Sequence, residues 1–114
     1  MLRRTLACAL LLGSLLLPVS AISDNPLKEM YRGEGLYALL QSENAFLKYY
    51  AMGYITGVSF VYDDFDIICI DKDTIDQNIL SQKVLKFLKN HPEERDQLSS
   101  IVIKESLKDD FPCP

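Results

Sequence analysis

The pattern of apolar and polar positions divides the chain into a short leader and a longer helical part. An apolar stretch over residues 6–17 follows Arg3 and Arg4, and the small residues Val19-Ser20-Ala21 come soon after it. This combination is typical of a cleavable secretory signal. The stretch is shorter than the roughly 20 residues that a membrane span needs. The sequence therefore predicts a signal peptide over residues 1–21.

A second interpretation of the leader is lipidation at Cys8, because Leu6-Ala7-Cys8 resembles the end of a lipoprotein signal. Only three residues separate Cys8 from Arg4. No apolar core would then precede the cleavage site, and signal recognition depends on such a core. We therefore favour cleavage after Ala21 and an exported mature domain over residues 22–114.

The first half of the mature domain contains two blocks of apolar residues with helical spacing. Residues 36–42 form a short apolar face. Asn44 is a suitable N-cap for a second helix, which we predict to run to about Tyr62. This block is apolar on nearly all sides, as in a central core helix, and is too short for a membrane span. Its Gly53 and Gly57 lie on one face, so we expect another helix to pack closely there and a bulky residue to overpack the contact.

An acidic connection follows, over residues 63–73. It contains five aspartates interleaved with apolar residues: Asp63, Asp64, Asp66, Asp71 and Asp73. A short strand has no convincing partner strand, so we interpret the segment as an extended loop. Residues 71–76 lack the glycine at the sixth position of a calcium-binding loop, and the glutamate at the twelfth is also missing. A solvated acidic surface is therefore favoured, and no metal site is predicted.

A third helix is predicted from a capping signal and an apolar face. Thr74 and Gln77 have the spacing of a capping box, so we expect the helix to start at Thr74. Its apolar face consists of Leu80, Val84, Phe87 and Leu88. His91-Pro92 should end it, because the residue before proline is disfavoured in helical geometry.

The last predicted helix begins at Pro92, a favourable first residue, and has two apolar stripes. One stripe contains Leu98, Ile101 and Val102, and the other contains Ile103 and Leu107. Each stripe must be buried against other residues. One stripe is expected to pack in the core, and the other against either a second subunit in a homodimer or the amino-terminal segment of the same chain. We expect burial within the chain.

Composition restricts the class of partner. The full chain has 12 basic and 16 acidic residues, and loss of Arg3 and Arg4 leaves 10 against 16, a net charge of −6. Such a domain repels nucleic acid and anionic lipid and attracts cationic partners. The sequence shows no nucleophile motif, metal constellation or phosphate-binding loop. It therefore predicts a protein-binding domain that is not an enzyme and needs no cofactor.

The mature domain has two cysteines, Cys69 and Cys113. In an oxidising compartment they should pair, which would stabilise the domain by about 4 kcal/mol. A catalytic thiol with His91 as its base would lack an orienting third group. We interpret His91 as a structural cap of the last helix, next to Pro92, rather than a pH sensor or metal ligand. The six tyrosines are expected to pack in the core rather than stack on sugars.

Five short blocks of sequence occur in order between residues 35 and 114. They are Gly53-Tyr54-Ile55-x-Gly57-Val58, Cys69, Thr74-x-x-Gln77, His91-Pro92-Glu93-x-Arg95 and Phe111-Pro112-Cys113. Together they resemble the Rap/Tai family of periplasmic immunity proteins. The resemblance implies an all-α bundle of about four helices, cross-linked here by one disulfide. It also implies a periplasmic protein that inhibits a peptidoglycan amidase toxin of a type VI secretion system by occluding its active site.

The chain departs from this family at one feature. Family members often carry a further cysteine pair, and the corresponding places here hold Leu40 and Ala51. The second disulfide is therefore absent, while the fold is expected to be kept.

The predicted partner-binding surface is the acidic loop, defined as residues 62–73. Carboxylates can steer association, while aromatic residues offer apolar anchors. The candidate residues are Tyr62, Asp63, Asp64, Phe65, Asp66, Asp71 and Asp73. The competing function is a small periplasmic stress protein or acid chaperone, which would expose apolar surface when its carboxylates are neutralised.

Overall fold

The computed structural model describes residues 26–114, so the predicted signal peptide and the Cys8 alternative lie outside the described residues. The α-helices are α1 (Gly33–Leu40), α2 (Ala45–Asp64), α3 (Gln77–Asn90) and α4 (Ser99–Leu107), with short 3₁₀ helices at Pro26–Tyr31 and Pro92–Glu94. Helices make up 67% of this part of the chain, about twice the usual share of α-helix, and it contains no strand. The predicted all-α class is confirmed.

Helix α2 begins where the sequence predicts. The Asn44 carboxamide oxygen accepts hydrogen bonds from the backbone N–H groups of Phe46 at 3.0 Å and Leu47 at 3.4 Å. Helix α2 packs against the other three α-helices through one face, whose buried residues are Ala51, Met52, Ile55 and Ser59. The buried Ser59 hydroxyl donates to the Ile55 carbonyl at 2.6 Å, so this polar group is satisfied within the core.

The opposite face of α2 is uncovered, which corrects the prediction of a helix buried on most sides. A Cβ atom built on Gly53 or Gly57 meets no atom within 4 Å. No helix of the described part of the chain packs on these glycines, so the expected close contact there is wrong. Uniform apolarity along a helix cannot indicate which side its neighbours will cover. Three shorter helices on one side of the 20-residue α2 leave its other side in solvent.

The prediction that the tyrosines pack in the core is wrong for half of them. Tyr31, Tyr49 and Tyr50 are exposed, whereas Tyr37, Tyr54 and Tyr62 are half-buried against the core. Each exposed tyrosine lies on the uncovered side of α2 or in the 3₁₀ helix before α1.

The N-cap of helix α3 lies two residues later than predicted. The N-cap is Asp76, whose side chain accepts the Ile79 N–H at 2.9 Å, while the Thr74 hydroxyl contacts the Asp71 carbonyl at 3.4 Å. The capping box at Thr74 is therefore wrong. The other features are confirmed: Leu80, Val84 and Leu88 are buried, Phe87 packs against them, and α3 ends before His91.

The predicted last helix is interrupted after its first turn. The Arg95 carbonyl accepts the Glu34 N–H at 2.7 Å, and the Gln97 carbonyl accepts the Gly33 N–H at 2.9 Å. These bonds satisfy the free N–H groups at the start of α1 and remove both carbonyls from a continuous helical ladder. Helix α4 therefore starts only at Ser99.

One apolar stripe of the predicted last helix is buried and the other is partly open. Val102, Ile103 and Leu107 lie in the core, whereas Leu98 and Ile101 remain 50% and 38% exposed. The expected burial of both stripes within the chain is therefore wrong for the described residues.

The core is continuous across the four α-helices, and Leu40 and Ala51 belong to it. Apolar packing thus occupies the places of the cysteine pair that the family resemblance suggests. Gly35 is required for a different contact: a Cβ there would lie 1.8 Å from the Glu29 carbonyl oxygen. None of the helices between residues 26 and 114 is long and apolar enough to cross a bilayer.

Candidate partner-binding site

The acidic loop is joined covalently to the carboxyl-terminal tail. Cys69 and Cys113 form the predicted disulfide, with their Cα atoms 4.8 Å apart. The Cys69 N–H also donates to the Phe111 carbonyl at 2.8 Å. The two buried side chains on either side of Cys69, Ile68 and Ile70, enter the core. The middle of the loop is therefore anchored by a covalent bond, a hydrogen bond and apolar packing.

The first turn of the loop is a Schellman motif at the end of α2. The Ile67 N–H donates to the Tyr62 carbonyl at 2.9 Å, and the Asp66 N–H donates to the Asp63 carbonyl at 3.1 Å. Asp66 has a φ of 55°, the left-handed conformation that this motif needs and that aspartate tolerates better than most residues. The turn places Phe65 at the end of the helix with its side chain in solvent, 73% exposed.

Asp63 is held inside the loop by its own chain. Its Oδ1 accepts the Ile70 N–H at 2.8 Å, and its Oδ2 lies 3.1 Å from Lys72 Nζ. The Ile70 N–H, followed by the hydrogen bond from Lys72, holds the pKa of the Asp63 carboxyl below its usual value. Asp63 therefore fixes the loop more than it presents charge to a partner.

Tyr62 is likewise turned toward its own chain. Its hydroxyl donates to the Ser100 carbonyl at 2.7 Å, which joins the end of α2 to α4. Two of the seven predicted site residues, Tyr62 and Asp63, thus support the loop, while the others face solvent.

The outer surface of the loop combines exposed carboxylates with two exposed apolar side chains. Asp64 Oδ1 lies 3.3 Å from Lys72 Nζ in an exposed ion pair. Asp71 Oδ1 accepts the Asp73 N–H at 3.0 Å and shapes the second turn. Ile67, beside Phe65, is 47% exposed. Ile67 and the counter-charge of Lys72 were not predicted from the sequence, because residue type alone does not show which isoleucine of the loop faces outward.

The potential metal ligands in the described part of the chain are not arranged as a thiolate site. Asp66, Cys69 and Cys113 offer ligand atoms within 4.8 Å of one another, but both sulfurs are bonded in the disulfide. His91 caps α3 by donating its N–H to the Phe87 carbonyl at 2.9 Å, and its ring packs 4.5 Å from the Phe87 ring. These contacts are structural, but His91 makes no side-chain capping bond to the 3₁₀ helix that follows it, so the expected cap of the last helix is wrong.

An apolar groove of about 450 Å³ lies next to the acidic loop, along α2. It is lined by Tyr54, Gly57, Val58, Val61, Tyr62 and Ser100. Burial raises the pKa of Tyr54, and the nearby Tyr31 and Tyr62 hydroxyls add to the effect. The absence of a side chain at Gly57 opens this groove, which was not predicted because a covering helix was expected there.

Comparison with known proteins identifies one family. The family model for Rap1a immunity proteins matches residues 32–113, a segment that includes all four α-helices and the disulfide. No curated protein and no solved structure matches the chain.

Proposed function

The chain belongs to the family of Rap1a immunity proteins, and from this premise we propose that it is a periplasmic immunity protein that inhibits a peptidoglycan amidase toxin of a type VI secretion system. Family membership supports an immunity-type role and a protein toxin as partner. The amidase target, the periplasmic location and inhibition by occlusion of the active site are our proposals.

The observation that carries the proposal is the exposed Phe65 on a rigid loop. The aromatic side chain is 73% exposed, yet the disulfide and the Asp63 hydrogen bond hold the backbone around it. An aromatic anchor on a backbone that is already held loses little backbone entropy when it enters a cleft. Such a loop can block an active site without any chemistry of its own.

The exposed carboxylates supply the long-range part of binding. Asp64, Asp66 and Asp73 are exposed in the same loop as Phe65, and the whole chain carries a net charge of −4. Clustered charge of one sign accelerates encounter with an oppositely charged cleft and fixes orientation. We therefore propose that the carboxylates increase the association rate and that Phe65 decreases the dissociation rate.

The first test is whether a neighbouring gene encodes a cell-wall amidase, and the second is kinetic binding of the protein to that amidase. Phe65→Ala should mainly accelerate dissociation, whereas Asp64→Asn combined with Asp73→Asn should mainly slow association and reduce its salt dependence. Gln82→Ala, on the exposed side of α3, is the matched control and should bind like the parent.

Equal binding and protection by the loop variants, together with loss of both in Gln82→Ala, would show that the wrong surface has been chosen. A protein that captures many unrelated unfolded clients at acid pH, and no amidase, would instead favour the chaperone alternative.

A further inference from the structure

A pocket of about 260 Å³ opens between α2 and α3, next to the end of α1, and it shares no lining residue with the apolar groove beside the acidic loop. Lys48 and Met52 line it from α2, one helical turn apart. Asn78, Ser81 and Leu85 line it from one side of α3. We propose that this pocket binds a small aliphatic carboxylate.

The Ser81 side chain is the feature that points to a ligand. It is 6% exposed, and its hydroxyl has no hydrogen-bond partner in the described part of the chain. Thr56 and Ser59, the hydroxyl residues of α2, instead donate to the carbonyl four residues earlier. A buried hydroxyl without a partner costs free energy, and rotation of its side chain can turn it towards a new acceptor. An oxygen atom of a ligand in the pocket would supply that acceptor.

The charge of the pocket favours an anion. Lys48 lines it, and none of the described residues that line it is acidic, although the chain has 16 acidic residues. Lys48 forms no ion pair within residues 26–114, whereas Lys72, Lys83 and Lys108 each pair with a carboxylate. The Lys48 ammonium and the NH₂ group of the Asn78 carboxamide are both donors. A ligand that presents negatively charged oxygen atoms matches these groups.

The buried part of the pocket is apolar, which selects among anions. Leu40 and Met52 are each 4% exposed, and Leu85 is half-buried against the core. An alkyl chain gains from contact with these side chains, whereas a fully hydrated anion such as phosphate would lose water against them. The volume is below the range of about 300–1,000 Å³ that is usual for drug-sized ligands. The ligand is therefore a short alkyl chain with one carboxylate, whose two oxygens can accept from Lys48 and Ser81 together.

The pocket lies at the opposite end of α2 from the acidic loop. Lys48 is in the first turn of this helix, and Asp64 is its last residue. Their separation of 16 residues corresponds to roughly 24 Å along the helix axis. A small ligand can therefore occupy the pocket whether or not the acidic loop is bound to a toxin.

Titration of the ¹⁵N-labelled exported protein with sodium butyrate, followed by NMR, tests the proposal. Butyrate should bind with a dissociation constant in the millimolar range, because so small a ligand has few atoms with which to gain affinity. The largest shifts should occur at the backbone amides of Lys48, Asn78 and Ser81. Butyramide has nearly the same shape without the charge, and inorganic phosphate has the charge without the alkyl chain. Each should bind at least about tenfold more weakly than butyrate.

Two variants test the groups assigned to the carboxylate. Lys48→Gln should weaken butyrate binding about tenfold, because it removes a charge-assisted hydrogen bond, and should leave butyramide binding unchanged. Ser81→Ala should weaken butyrate binding about fivefold. It should also raise the melting temperature of the ligand-free protein, because it removes a buried polar group that has no partner. Lys89→Gln, the same loss of charge on exposed α3 surface outside the pocket, should bind butyrate like the parent.

Several outcomes would overturn the proposal. One is the lack of saturable shifts with butyrate up to about 50 mM, and another is equal affinity for butyramide or phosphate. A lower melting temperature of Ser81→Ala would show that the hydroxyl already has a partner in the folded protein, which also overturns the proposal. Loss of amidase binding by Lys48→Gln, in a parent protein that does not bind butyrate, would assign the pocket to the toxin instead.

Discussion

Substitution of glycine by alanine should have opposite effects on stability in α1 and α2. In α2, Gly53 and Gly57 are exposed and have no atom within 4 Å of a built Cβ. Alanine in the interior of a helix is favoured over glycine by roughly 0.5–1 kcal/mol, because it loses less backbone entropy on folding. Gly53→Ala and Gly57→Ala should each stabilise the domain by about that amount.

In α1 the same change meets a steric obstacle. A Cβ on Gly35 would lie 1.8 Å from the Glu29 carbonyl oxygen, and one on Gly33 would lie 2.9 Å from the Arg95 carbonyl oxygen. Both obstacles are backbone atoms. Either α1 must move, or the 3₁₀ helix Pro26–Tyr31 must move for Gly35 and the segment at Arg95 for Gly33. Overpacking of this kind costs about 1–3 kcal/mol, and the gain in helix propensity offsets only part of it. Gly35→Ala should therefore destabilise by about 2 kcal/mol, and Gly33→Ala by less.

Urea denaturation followed by circular dichroism measures all four variants. Each kcal/mol shifts the urea midpoint by roughly 0.3–1 M, because m is about 1–3 kcal/mol/M for small proteins, so the effects are well resolved. Loss of stability in Gly53→Ala or Gly57→Ala would show that a neighbour covers this face in the monomer. An unchanged midpoint for Gly35→Ala would refute the close contact between the 3₁₀ helix and α1.

Three further predictions follow from the termini, the disulfide and the loop. Intact mass of the exported protein should correspond to a chain starting at Ile22 and should rise by about 2 Da on reduction; two free thiols or a lipid on Cys8 would contradict this. Cys69→Ala with Cys113→Ala should lower the free energy of unfolding by about 4 kcal/mol, because the bond closes a separation of 44 residues; a loss below about 1 kcal/mol would show that the open chain is already constrained. The pKa of Asp63 is lowered in the folded protein, so its contribution to stability is present above its unfolded value of about 3.9 and is lost as the pH falls through the lower folded value. Asp63→Asn should therefore make acid denaturation below about pH 4 less steep than in the parent, and a profile as steep as that of the parent would contradict this assignment.

The sequence alone determined the features that depend on neighbouring residues or on cysteine count. Asn44 caps α2 because its side chain reaches N–H groups two and three residues away. His91 ends α3 because Pro92 restricts its backbone. The disulfide was predicted because Cys69 and Cys113 are the two cysteines after the predicted signal peptide. Such effects act over a few residues or have one solution, so no knowledge of the fold is needed.

Only the tertiary structure decided the features that depend on distant parts of the chain. The break before α4 arises because Arg95 and Gln97 carbonyls bond to the start of α1, more than 60 residues away. The open face of α2 arises because its neighbours all pack on one side. Asp63 supports the loop because its carboxylate accepts the Ile70 N–H and pairs with Lys72, both of which lie later in the loop. The hydrophobic pattern indicates how much of a helix can be buried. The packing of the other elements determines which face is buried and which face stays accessible to a partner.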